Sequence, residues 1–173
     1  MHTLFRGIDR LSQVLGLSVA HFYLIVTVIT SYEVIARYVF NAPTMWAFEL
    51  VMVLCASAWA LSGGYVTMRR GHIAITVLYQ YSTGTVRWLL DLFIQFMSLV
   101  AMLVLAYALW EPMTNALRQL ERSGSSFNSP EPMLVKTILF AGALLYALQT
   151  LVTLIRIVTE GRLPPPPQPI QGE

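Results

Sequence analysis

Four runs of apolar residues, at about 11–38, 44–68, 86–110 and 133–158, match or exceed the roughly 20 residues that carry an α-helix through the hydrocarbon core of a bilayer. That length decides the fold class. A chain in lipid has to satisfy its own backbone N–H and C=O groups, and a helix does so within a single segment. The expectation is an all-α membrane protein of four transmembrane helices, forming a single domain over residues 1–160. Composition agrees, since 56% of the 173 residues are hydrophobic, only 12% are charged, and the mean hydropathy is +0.62. Soluble domains carry about twice that share of charge. Arg6 and Arg10 stand before the first run as in a signal peptide. The apolar residues then continue to Phe40 without a small-residue cleavage site, so the run reads as a retained span.

The pieces between the runs differ in kind. Ile73–Tyr81 is apolar and β-branched but too short to cross as a helix, which predicts an interfacial segment over 73–81 lying along the membrane surface. Pro112 removes a backbone donor and is expected to kink or end the third span, with Asn115–Arg122 a polar helical extension beyond it. Ser123–Pro132 is dense in turn formers and reads as the extramembrane loop. Residues 161–173, RLPPPPQPIQGE after Gly161, read as a proline-rich, extended, disordered tail.

Charge is scarce, so its placement carries information. Glu33 and Arg37 are spaced i,i+4 with the acid first, the favourable order for an ion pair on one helix face. Across the Asn41–Thr44 turn come Trp46, an amphipathic ring suited to the headgroup level, and Glu49. Glu33, Arg37 and Glu49 are expected to form one cluster. Two roles are open for it: a proton or cation relay, or a lock on the first hairpin that also docks a partner. The position beside a turn, rather than at mid-span, favours the lock. In the second run Ala56, Ala60 and Gly64 recur every four residues, a small-residue face on which another backbone can approach closely. Arg69, Arg70 and His72 form a basic turn at its end. With the N-terminus inside, seven basic residues fall on the inner side against four outside, which predicts cytoplasmic termini.

Other chemistries find little support. The formal net charge is only +2, and the basic residues sit at the ends of apolar runs, so nucleic acid is not an expected partner and membrane lipids are. Cys55 is the single cysteine, and the histidines at 2, 21 and 72 are dispersed, so no haem, metal or other cofactor is expected. No nucleophile arrangement or phosphate-binding loop is present, and the chain does not read as an enzyme.

The run Glu33-Val34-Ile35-Ala36-Arg37-Tyr38-Val39-Phe40-Asn41-Ala42-Pro43, followed by Trp46, Glu49, Gly63-Gly64 and Arg70-Gly71-His72-Ile73, resembles the DctQ-like small membrane subunit of tripartite ATP-independent periplasmic (TRAP) transporters over roughly residues 10–160. The resemblance implies a subunit of the bacterial inner membrane that enlarges the fixed scaffold around a large TRAP membrane subunit. That larger partner would hold the substrate and ion sites, and a periplasmic solute-binding protein would deliver an organic anion for uptake driven by an ion gradient. A small autonomous transporter acting as a four-helix homodimer remains the alternative.

Overall fold

The computed structural model describes residues 2–69 and 84–160, with side chains over 5–69 and 84–159. The proposed interfacial segment 73–81, Arg70, His72 and the 161–173 tail lie outside the described residues. Four helices account for the fold: α1 His2–Tyr38, α2 Ala47–Met68, α3 Gly84–Gln119 and α4 Glu131–Glu160. All four contain stretches long and apolar enough to cross a membrane. The chain is an all-α, four-span membrane protein.

Several helices outrun the apolar segments that announce them. At 37 residues α1 is about 55 Å long, and α3 at 36 is nearly the same, against roughly 30 Å of hydrocarbon. Hydropathy marks the solvent around a residue, whereas the backbone ladder continues wherever propensity allows, so α1 begins well before Leu11. Pro112 does not end α3, which continues to Gln119. Pro112 leaves the Ala108 carbonyl without its usual backbone donor, a local loss that membrane-spanning helices tolerate. The helix then closes with Leu120 in the left-handed region (φ 47°) and the Glu121 N–H on the Ala116 carbonyl at 3.0 Å, a Schellman-type stop.

The helices form an open layer in the order α1, α2, α4, α3. α2 packs along both α1 and α4, α3 packs along α4, and α1 touches α4 only lightly. Neighbouring side chains give the directions. Tyr32 stacks on Trp46 at 6.3 Å, so α1 and α2 are antiparallel, and Trp110 packs on Phe140 at 5.6 Å while the Trp88 indole donates to the Ile157 carbonyl at 3.3 Å, so α3 and α4 are antiparallel too. α4 is the most buried helix and α3 the least.

Contact between α2 and its neighbours is made at small residues. A Cβ built on Gly142 would meet the Ala60 carbonyl oxygen at 2.7 Å, and one on Gly64 would meet Ser12 Oγ at 3.1 Å and Leu145 Cγ at 3.3 Å. One on Gly16 would land on Tyr65. In lipid the hydrophobic effect supplies no drive between helices, so such close approach, with its dense dispersion contact, takes its place.

Gly142→Ala is therefore expected to cost about 1–3 kcal/mol, because the new methyl meets backbone that cannot rotate away. Gly7→Ala, where nothing lies within 4 Å, is expected to be neutral or slightly stabilising. Thermal unfolding of both variants in detergent checks the contrast; equal melting temperatures would contradict the close packing of α2 on α4.

Candidate functional site

At the end of the layer that holds the α1–α2 turn, two carboxylates organise the backbone. Glu33, in the last turns of α1, forms an ion pair with Arg37, whose Nε lies 3.0 Å from Glu33 Oε1. Its second oxygen accepts the Thr44 N–H at 3.0 Å and the Thr44 hydroxyl. One side chain thus ties the end of α1 to the returning strand of the turn. The turn itself is made by Asn41, a residue tolerant of the left-handed region (φ 53°), with the Ala42 N–H donating to the Ala36 carbonyl at 2.9 Å. Pro43 follows and cannot continue the helix. Trp46 is the N-cap residue of α2, and its ring lies on Tyr32.

Glu49, in the first turn of α2, is buried, and its partners come from far along the chain. Its Oε1 accepts the hydroxyls of Ser123, at 2.6 Å, and Ser125. Its Oε2 accepts the Ser129 N–H at 3.1 Å and the Ser129 hydroxyl. The expected single cluster is thereby two separate sites: Glu33 with Arg37 and Thr44, and Glu49 with the α3–α4 loop. The reason is helical phase. Glu49 lies near the helical phase of Ala60, which packs on Gly142 of α4, so its carboxylate is turned toward α4 and the loop leading into it. Four neutral donors satisfy the Glu49 carboxylate without a cation, which a buried anion requires if it is to stay charged.

At the opposite end a network that sequence reasoning missed joins α1 to α4. Asp9 pairs with Arg156 at 2.7 Å and accepts Gln149 Nε2 at 2.9 Å, and Gln149 Oε1 accepts the Ser12 hydroxyl at 3.0 Å. Ser12 and Gln149 are fully buried, and the Arg156 guanidinium lies 5.5 Å from the Phe5 ring centroid. A lone glutamine inside an apolar run is the signal that could have pointed here, because a polar group at that depth needs a protein partner. Of the expected basic turn, Arg69 is described: it caps α2 with its guanidinium 5.4 Å from the Tyr65 ring centroid. Ala56 is half-buried, Ala60 lies on Gly142, and Gly64 is buried between Ser12 and Leu145.

Between α2 and α3, over α4, runs an open apolar groove of about 500 Å³, lined by residues including Trp59, Ala60, Val66, Leu105, Leu109 and Tyr146. Among the described residues no three His, Cys, Asp or Glu side chains gather as metal ligands would.

These features define a multi-pass membrane subunit whose charges are held at helix ends. The chain matches the family described as "DctQ: Tripartite ATP-independent periplasmic transporters, DctQ component" over residues 26–160, and it belongs to that family. It is a small membrane component of a TRAP transporter, a multi-pass protein of the bacterial inner membrane, and its family is one of transporter components rather than enzymes. The family implies a large membrane subunit and a periplasmic binding protein as partners. A comparison with curated proteins gave no match.

The separation of the two carboxylates is measurable by double-mutant cycles. Glu33→Gln and Thr44→Val are expected to be strongly non-additive in thermal stability, since they share one set of hydrogen bonds, whereas Glu33→Gln and Glu49→Gln are expected to add. Coupling between Glu33 and Glu49 as strong as that between Glu33 and Thr44 would restore the single cluster.

Proposed function

We propose that this chain is the fixed scaffold partner of the large TRAP subunit, needed for ion-gradient-driven uptake of an organic anion that a periplasmic binding protein delivers. The observation that carries this reading is the open layer. α2 and α4 form its middle, α1 and α3 its edges, and the exposed apolar faces of α1 and α3 are available to lipid and to a larger membrane partner. The described ionic pairs of Glu33, Asp9 and Lys136 lie toward helix ends and are internally satisfied, which suits a part that keeps its shape while a neighbour moves. Glu33, Arg37, Trp46 and Glu49 shape the outer end, where they support docking. Ala56, Ala60 and Gly64 serve helix packing, and Arg69, Arg70 and His72 supply basic charge on the cytoplasmic side.

Orientation follows from the basic asymmetry, with both termini cytoplasmic and Ser123–Pro132 periplasmic. In a Cys55→Ser background, Ser126→Cys is expected to react with an impermeant thiol reagent from the periplasmic side of intact cells. Reaction only in inverted vesicles would reverse the topology.

Function is tested by reconstitution into proteoliposomes with an imposed sodium or proton gradient, comparing this chain alone, the large subunit alone and both together, each with the binding protein. Uptake is expected only from the pair. Uptake by this chain alone would replace the scaffold reading with an autonomous transporter, and full uptake by the large subunit alone would remove the requirement for this chain.

A further inference from the structure

The α3–α4 loop has features that the scaffold reading does not use. Its ends are closed by the Ser123 N–H on the Ser129 carbonyl at 3.0 Å, and Arg122 Nη1 donates to the Asn128 carbonyl at 2.9 Å. The Gly124 N–H lies 3.3 Å from Asn128 Oδ1, with Gly124 (φ 68°) and Asn128 (φ 53°) both in the left-handed region. None of these contacts involves Glu49, so the loop's shape has its own support.

Within that shape the hydroxyl protons are directed. The N–H groups of Phe127 and Asn128 donate to Ser125 Oγ at 3.1 and 3.2 Å, and the Glu131 N–H donates to Ser129 Oγ at 3.3 Å. Ser125 Oγ thus has both acceptor positions taken by the backbone and Ser129 Oγ has one, and each hydroxyl has a single proton to give. Both give it to Glu49, joined by the Ser123 hydroxyl and the Ser129 N–H. Convergent, oriented dipoles of this kind make an anion-binding concavity without a formal cation.

We propose that residues 123–129 form a preformed carboxylate-binding nest whose occupant is the side chain of Glu49, and that this recognition sets the position of the α3–α4 loop on α2. Packing of α4 along α2 brings the Ser129 end of the loop near α2, while α3 packs along α4 and leaves the Ser123–Ser125 side to be placed by Glu49. The ligand class is a small carboxylate supplied in cis by α2. When Glu49 is shortened to glycine, formate or acetate can enter the vacated nest. When it becomes glutamine, one acceptor oxygen is replaced by an NH2 that confronts donors.

The test uses the full-length chain in detergent. Glu49→Gly is expected to lower the melting temperature, and increasing formate at constant ionic strength, balanced with chloride, is expected to raise it again in that variant but not in the wild type. Adding Ser125→Ala to Glu49→Gly is expected to remove the response. In parallel, Phe127→Cys in a Cys55→Ser background reports loop release through its thiol-labelling rate. Glu49→Gln is expected to raise that rate about tenfold, the scale set by losing hydrogen bonds to a charged group. Formate acting no better than chloride, or Glu49→Gln labelling at the wild-type rate, would overturn the proposal. If Glu49→Gly fails to fold, the Glu49→Gln labelling rate decides alone.

Discussion

The fold depends on the point where three helices converge at Gly64. There the α2 backbone comes within reach of Ser12 on α1 and Leu145 on α4, and the Ser12 hydroxyl bonds Gln149 across the gap. Lipid tails are as apolar as leucine, so burying leucine against leucine gains little in a bilayer. What distinguishes one helix arrangement from another is how many atoms can touch and whether buried polar groups find each other. A glycine on α2 supplies the first condition, and the Ser12–Gln149 bond the second. The remaining order of the layer follows, with α2 and α4 placed side by side, α1 added on one edge and α3 on the other.

Charge obeys the same constraint by two different means. Asp9 and Glu33 have cationic partners, Arg156 and Arg37. Glu49 has none among its described bonds and is held by hydroxyls and one backbone amide. The consequence is structural. An ion pair within one helix, such as Glu33–Arg37, stabilises a local turn, whereas a carboxylate gripped by a loop more than seventy residues away joins distant parts of the chain.

A TRAP small subunit with this architecture has the form of a plate rather than a vessel. Its described ion pairs, Glu33–Arg37, Asp9–Arg156 and Lys136–Glu121, close within the chain, and the groove over α4 is open and apolar. That division suits an assembly in which one component stays fixed and another moves.

Much of this was legible without coordinates. The four spans followed from run length, because hydrocarbon thickness and helical rise are fixed quantities. The Glu33–Arg37 pair followed from i,i+4 spacing, and the family from the run between Glu33 and Glu49. Helix beyond Pro112 was read from the polar stretch that follows it, but that Pro112 sits inside one continuous helix was not legible, since a proline can either kink or end a helix. Nor was the partner of Glu49. Proximity in sequence suggested Arg37, but the rotation of α2 about its axis turned the carboxylate toward Ser123, Ser125 and Ser129. Sequence alone determined which segments must enter the membrane and which residues would be costly there, because solvation is a property of each residue. Only tertiary structure decided how those costs were met, because hydrogen-bond partners depend on which helix faces meet, and that was settled by backbones approaching where small residues let them.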